Sequence, residues 1–298
     1  MKYIVAVSGG VDSVVLLDML VNNELDFDVD AEFVVAHFDH GIRDESSEDA
    51  AFVEQLAKQY NLQFELGSAR LGAGASEDTA RKERYNFLQK SRKKYSAPSI
   101  ILAHHEDDVI ETAIINITRG TGWRGLSSLG SSDELTRPLL HITKTDLTDY
   151  AKRHSLHWVE DNTNSDQTYL RNYIRHTVIP LVVQEDATFT TKLLHHIDQI
   201  KQVKQEIDRE LDAVIDRHKV DNCSYIFSRY IILNWPNEVS SAIVHRTLSE
   251  LDDDWHPTSQ HITRVIHFAK TARPGKVLDV SKTLQIVSTQ RHIEFKKY

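Results

Sequence analysis

Three short clusters in this chain carry side chains and backbone able to do chemistry. The first is Ser8-Gly9-Gly10-Val11-Asp12-Ser13, which directly follows the apolar run Tyr3-Ile4-Val5-Ala6-Val7 and directly precedes Val14-Val15-Leu16-Leu17. A strand, a tight glycine turn and a helix start in that order leave unpaired backbone N–H groups at the positive end of a helix, which attracts phosphate. The phosphate of a nucleotide is expected there. A Walker A loop would place a lysine after its last glycine, and a Rossmann loop would carry a third glycine; neither is present. Taken alone, Gly9-Gly10 reads equally well as a turn that merely caps a helix.

The second cluster is His104-His105-Glu106-Asp107-Asp108-Val109-Ile110-Glu111. His104, Asp108 and Glu111 are spaced i, i+4, i+7, which puts them on one helix face if the helix begins early enough. Acidic residues in a first turn also complement the helix dipole, and that plain reading stands level for Glu106 and Asp107. Asp108 and Glu111 are assigned to function because the phosphate loop is expected close by. His-His-x-x-Asp could ligate zinc. Carboxylates beside a phosphate loop suit Mg²⁺ shared with ATP oxygens better.

The third cluster, His37-Phe38-Asp39-His40-Gly41-Ile42-Arg43, offers Asp39 to orient an amine or a nucleotide and Arg43 to meet phosphate. Its two histidines, taken alone, are ordinary hydrogen-bonded loop residues. Arg81, Arg84 and Tyr85 share one predicted helix, and guanidinium suits phosphate better than ammonium does.

Positioning these clusters falls to strand-like runs at Tyr3–Val7, Glu32–Ala36 and Ser99–Ala103, separated by helical patterns. That alternation predicts an α/β fold, a parallel sheet with helices on both faces, whose ligands sit beyond the carboxyl ends of the strands. Each cluster follows one of those ends. Residues 115–145 are rich in Gly, Ser and Thr and read as a long surface loop, and Pro180 reads as a boundary. From 188 to 217, Leu193, Ile197, Ile200, Val203, Ile207, Leu211 and Val214 recur at helical spacing, predicting one long amphipathic helix. Two further helices, at Ser240–Leu251 and Ser259–Lys270, and short strands at Lys276–Val280, Thr283–Val287 and His292–Phe295 suggest a small mixed α+β domain. The organisation expected is a catalytic domain over 1–185, a linker helix over 186–220 and a C-terminal domain over 221–298.

The 298 residues, 40% of them hydrophobic, suffice for one large or two medium domains. Cys223 is the single cysteine, which excludes an internal disulfide framework and any Cys-x-x-Cys metal, iron–sulfur or redox site within this sequence. No apolar run is long enough to span a membrane, and the N-terminus enters a strand without secretory-signal features, so a cytoplasmic location is expected. The net charge of −9 disfavours RNA binding by overall basicity but leaves room for a local basic face.

Ser8–Ser13 resembles the pyrophosphate loop of the N-type ATP pyrophosphatases, which split ATP between the α- and β-phosphates. His37–Arg43, Ala80-Arg81 with Arg84-Tyr85, Ala103–Thr112, Arg119–Leu126, Arg137–Leu140 and Trp158–Arg175 resemble, in matching order, segments of the tRNA(Ile)-lysidine synthetases, a family within that superfamily. The match is strong over about residues 1–180, and its departures are slight, Val109 standing for a usual glutamine and Leu129 for a usual methionine. The shorter members, with one C-terminal domain, are the better match.

The resemblance implies an adenine nucleotide alpha hydrolase-like fold and a ligase reaction on RNA. ATP adenylates the wobble cytidine of the minor isoleucine tRNA with anticodon CAU; free L-lysine then displaces AMP. Carried over residue by residue, Ser8, Gly9, Gly10, Val11, Asp12, Ser13 and His37 bind ATP, with Asp12 and Asp108 as partners for Mg²⁺. Asp39, Arg84, His104, Asp108 and Glu111 hold lysine and the reacting centre. Arg43, Arg81, Arg119, Gly120, Arg124, Asp161, Asn164, Tyr169, Arg171 and Asn172 meet the substrate RNA or shape its cleft. Lys201, Lys204, Lys270, Arg273, Lys276, Lys296 and Lys297 are further tRNA candidates, each equally readable as solvated surface. A homodimer is compatible with the sequence. A sulfur-carrying tRNA thiolase, which resembles the chain in its loop, would need thiols that this sequence lacks. A nucleotide sensor that had lost the chemistry would lack the acids at 106–111.

Overall fold

The computed structural model describes residues 1–41, 46–69, 77–121, 123–160, 170–252 and 255–298. The chain divides into two compact units, Met1–Lys201 and Gln202–Tyr298. The first contains β1 (Lys2–Ala6), α1 (Val11–Val21), β2 (Glu32–Asp39), α2 (Ser46–Gln59), β3 (Gln63–Ser68), α3 (Glu77–Lys94), β4 (Ile100–Ile101), α4 (Glu106–Thr118), α5 (Trp123–Leu126), β5 (Leu135–Thr136), α6 (Lys144–Arg153), α7 (Leu170–Tyr173), a π-helical turn (Ile174–Val178) and α8 (Ile179–Glu185). The helix α9 (Phe189–Asp216) runs from this unit into the second.

Among the described residues the sheet has five strands in the order β3-β2-β1-β4-β5, and all its pairs are parallel. The alternation of a strand's side chains sorts the core onto its two faces. Val5, Val35 and Ile101 join α1, Val53 and Leu147 in one cluster. Their neighbours Ile4, Val34, Ala36, Ile100 and Leu102 pack with Leu88 of α3 in another. Because both faces are covered, the central strands read as continuous apolar runs, which is why the sequence reveals them.

Two strands of this sheet were not expected, and neither were β6 (Lys219–Asp221) and β7 (Ser224–Ser228) of the second unit. β3 lies at the sheet edge with no buried residue, and β5 has only two residues; neither contains an apolar run. The segment 115–145 is also more structured than a surface loop, holding the end of α4, all of α5, β5 and the start of α6. Pro180 does not end an element. It sits in the first turn of α8, directly after the π-helical turn and with helical backbone on both sides, so the path continues through it.

The second unit contains β6 (Lys219–Asp221), β7 (Ser224–Ser228), α10 (Arg229–Asn234), α11 (Asn237–Leu251), α12 (Ser259–Thr271), β8 (Val277–Asp279), β9 (Leu284–Ser288) and β10 (His292–Lys297). Its sheet is antiparallel in the order β6-β7-β10-β9-β8. Tyr225, Phe227, Ile286, Ile293 and Phe295 face Leu248 and Val265 of the helices and Ile215 of α9. Among the described residues no helix is long and apolar enough to cross a membrane.

Candidate functional site

The order β3-β2-β1-β4-β5 places β1 centrally, with the chain turning first to β2 on one side and later to β4 on the other. Open parallel sheets bind ligands at such a switch point, beyond the carboxyl ends of the strands. The loop after β1, the end of β2 and the segment between β4 and α4 are the three clusters singled out above.

The loop is built around one hydroxyl. Ser13 Oγ accepts from the N–H groups of Ser8 (3.1 Å) and Gly9 (3.2 Å), lies 3.1 Å from Ser8 Oγ and donates to Gly10 O at 2.9 Å. Gly9 has φ +95°, a conformation a side chain would strain, and its carbonyl is pinned by the N–H of Val159 at 3.0 Å. Gly10 is the N-cap of α1 and has no side chain with which to cap it. The first-turn N–H groups of Val11 and Asp12 therefore have no helical acceptor and remain available to an anion.

His37 is buried, and its Nδ1–H donates to Val7 O at 2.8 Å. It ties the end of β2 to the start of the loop. Asp39 is half-buried, with Oδ1 accepting from the N–H of Gly41 at 2.7 Å. Burial, then the nearby positive charge of Arg84, pushes the His40 pKa down, against the pull of Asp39.

α4 begins at Glu106, so His104 precedes the helix and the expected three-residue face is not formed on α4. The fold gathers the groups nonetheless. Asp108 and Glu111, three apart on α4, share one guanidinium: Arg171 donates from Nε to Glu111 Oε2 at 2.8 Å and from Nη2 to Asp108 Oδ1 at 3.2 Å. Arg175 reaches the same fully buried Glu111 through Nε (2.5 Å) and Nη2 (3.1 Å). Glu111 is thus held by two arginines, and Arg171, expected at the RNA, is committed to this buried network.

Arg137 Nε donates to His104 Nδ1 at 3.1 Å, and its Nη1 donates to the Gly130 carbonyl. Burial, together with the charges of Arg137, Arg171 and Arg84, outweighs the attraction of Asp108 and lowers the His104 pKa to about 3. The imidazole is therefore neutral, accepts at Nδ1 and carries its proton on Nε2. His105 behaves oppositely. Burial pushes its pKa down, but Asp107, Asp108 and Asp12 together outweigh it and hold the pKa above the usual value. Its Nε2 lies 3.8 Å from Asp12 and 3.6 Å from Asp108.

Lys144, the first residue of α6, closes the site over the loop. Its Nζ donates to both carboxylate oxygens of Asp12, at 2.6 and 2.8 Å, and its N–H donates to Asp107 at 2.8 Å. Among the described residues no group of three or more His, Cys, Asp or Glu side chains could hold a metal ion. Asp108 is not placed as a metal donor, since Oδ1 meets Arg171 and Oδ2 accepts from the His105 N–H at 3.0 Å. Asp12, part-exposed and on the loop itself, fits a cation whose other ligands are phosphate oxygens.

Of the remaining expected residues, Arg81 is exposed and lies 5.2 Å from the Tyr85 ring, with Arg84 5.8 Å from the same ring. Arg119 is the exposed C-cap of α4, followed by Gly120 at φ +67°. Asn172 is half-buried. Arg43, Asp161, Asn164, Tyr169 and the side chain of Arg124 lie outside the described residues.

Lys144, Arg137 and Arg175 were given no role of their own from the sequence, and His105 entered only through the zinc alternative. Two of them left a signal: a lysine in a helix's first turn opposes the dipole, and Arg171 and Arg175 are spaced i, i+4. Arg137 and His105 carry no such local mark.

Known proteins are similar to this chain in sequence or in fold. A 30% identical relative, the tRNA(Ile)-lysidine synthase of Thermotoga sp. (strain RQ2), aligns over 243 residues, 79% of this chain and 57% of its own length. The protein of the same name from Geobacter sulfurreducens is 34% identical over 228 residues, 73% of this chain and 48% of its own length. The chain thus spans about half the length of these curated relatives. The solved structure of the U34-tRNA thiolase NcsA from Methanococcus maripaludis with its [4Fe-4S] cluster superposes with a TM-score of 0.56 at 15% identity. It covers 67% of this chain and 72% of its own, and shares the fold. The family model for the PP-loop domain matches residues 1–182, from β1 into α8. With its glycine loop at the switch point of a parallel sheet and that match over more than half its length, this chain belongs to the PP-loop domain family.

Proposed function

We propose that the chain is a tRNA(Ile)-lysidine synthetase. The wobble cytidine of the CAU-anticodon isoleucine tRNA attacks the α-phosphate of ATP through its C2 carbonyl oxygen, and pyrophosphate leaves. The ε-amine of free L-lysine, having lost a proton, then attacks C2 and AMP departs, leaving lysidine. The observation that carries this reading is the convergence of the phosphate loop, Asp39 and the His104–Glu111 segment on one carboxyl edge of the sheet. The names of the relatives support the substrate.

In this reading Ser8–Ser13 cradles the pyrophosphate through the N–H groups at the start of α1, stabilising charge as it develops. Mg²⁺, when bound, neutralises the polyphosphate, with Asp12 as its protein donor. Asp39, whose carboxylate is not locked by a cation among the described contacts, receives the lysine ammonium. His104, neutral and carrying its proton on Nε2, serves as a hydrogen-bond donor to the activated base rather than as a proton acceptor. Arg84 contributes positive charge beside it. Glu111 acts through Arg171 and Arg175 as a positioning residue, and Asp108 orients the same arginine. Arg81, Arg119, Gly120 and Asn172 are assigned to the anticodon loop in this reading, and the resemblance carries the same role to Arg43, Arg124, Asp161 and Asn164. The wobble base of that loop is already single-stranded, so presenting it is less costly than extrusion from a duplex.

Incubation with α-labelled ATP, lysine and an isoleucine tRNA transcript tests this reading. Release of AMP and pyrophosphate that requires both tRNA and lysine is expected; formation of ADP, or turnover independent of lysine, refutes it.

A further inference from the structure

Lys144 is in an unfavourable place unless something anionic is meant to meet it. A cation at the first residue of a helix faces the positive end of the dipole, yet both ends of this residue are fixed on the site. The backbone N–H is held by Asp107 and the ammonium by both oxygens of Asp12, across 132 positions of sequence. Lys144 is 40% exposed in its side chain and Asp12 28%, so the pair is partly solvated and weak enough to exchange. The other cations of this edge have partners of their own: Arg171 and Arg175 on Asp108 and Glu111, Arg137 on His104 and the Gly130 carbonyl.

From this geometry we infer that Lys144 is the phosphate-binding cation that the loop lacks in its own sequence. When nucleotide enters, the ammonium leaves Asp12 for the oxygens of the β- and γ-phosphates, and it stays with pyrophosphate after AMP has been transferred to the base. The inference rests on the reading that a nucleotide polyphosphate occupies Ser8–Ser13. A compact ammonium on a flexible stem suits this exchange, because it can follow a point charge without the planar geometry a guanidinium demands. In Walker loops the equivalent lysine is supplied by the loop itself; here a helix much later in the chain delivers it. Without nucleotide, the same ammonium neutralises Asp12, whose carboxylate would otherwise repel the incoming polyphosphate.

Calorimetric titration of the full chain with α,β-methylene-ATP, with pyrophosphate and with AMP, in EDTA to remove divalent cations, tests this. Lys144→Met is expected to weaken α,β-methylene-ATP and pyrophosphate about tenfold or more, the loss of a charge-assisted hydrogen bond, and to leave AMP within about twofold. Lys144→Arg should retain part of the affinity. Pyrophosphate binding by folded Lys144→Met equal to that of the wild type overturns the inference. Asp12→Asn, which frees the ammonium, is expected to bind pyrophosphate at least as tightly as the wild type, and a loss as large as that of Lys144→Met also overturns it, even if the latter variant folds poorly. A wild-type chain that binds AMP but neither polyphosphate refutes the nucleotide reading itself, and with it the role of Lys144.

Discussion

Two adjacent histidines differ because their neighbours differ. His104 lies among Arg137, Arg171 and Arg84 and stays neutral, whereas His105 lies among Asp12, Asp107 and Asp108, whose charges raise its pKa against the effect of burial. A histidine whose folded pKa is raised contributes stability that is fully present below its unfolded value, near pH 6.5, and lost as pH rises through the folded pKa. Its neighbour Asp107, taken down to about 2 chiefly by the His105 ring 3.3 Å from its carboxylate and also by the Lys144 N–H, contributes stability that is present above the ordinary aspartate range and lost as pH falls through that value. NMR titration should therefore find His105 above the ordinary histidine pKa and His104 neutral throughout, and Asp107→Asn should lower the pKa of His105. An unshifted His105 would refute the network. Glu111→Gln should cost on the order of 3 kcal/mol in urea unfolding, because it removes a buried charge that faces two guanidiniums. Gly9→Ala should cost about 1–3 kcal/mol from its positive φ and weaken ATP binding with it.

At the scale of elements, α1 is the part that aims the loop, and a buried carboxylate clamps it. Asp18 of α1 accepts from Tyr60, just beyond α2, at 2.5 Å and from Tyr150 of α6 at 2.7 Å. Burial and these bonds raise both phenol pKa values. Asp18→Leu leaves two hydroxyls without their acceptor and is expected to cost about 2–4 kcal/mol; a change below 0.5 kcal/mol in thermal or urea unfolding would argue against the clamp. α6 is itself capped by Thr143, whose Oγ1 accepts from the Asp146 N–H at 3.1 Å. Thr143→Ala should cost about 1 kcal/mol and, by loosening the start of α6, weaken pyrophosphate binding through Lys144. The sequence exposed α1 because its apolar run follows a glycine turn. It concealed β3 and β5, whose pairing comes from neighbouring strands rather than from residues of their own.

At the scale of the whole molecule, each unit has a hydrophobic core of its own, the first packed on both faces of the parallel sheet, the second built on β7, β9, β10 and α11. Phe227→Ala should remove about 3–5 kcal/mol from the second unit and leave polyphosphate binding at the loop unchanged; an equal loss of that binding would show that the nucleotide site depends on the second core. By itself the sequence determined what is encoded locally: the anion-binding start of α1, the buried central strands, the long helix α9 and the acidic run on α4. Periodicity and turn chemistry act over a few residues, so they are legible in one dimension. The tertiary structure decided which charges meet. Lys144 reaches Asp12, Arg175 reaches Glu111 and Arg137 reaches His104 across 132, 64 and 33 positions respectively. The electrostatics of those pairs depend on distance and burial created only when the chain folds, which is why Lys144, Arg175 and Arg137 drew no role from the sequence while their partners did.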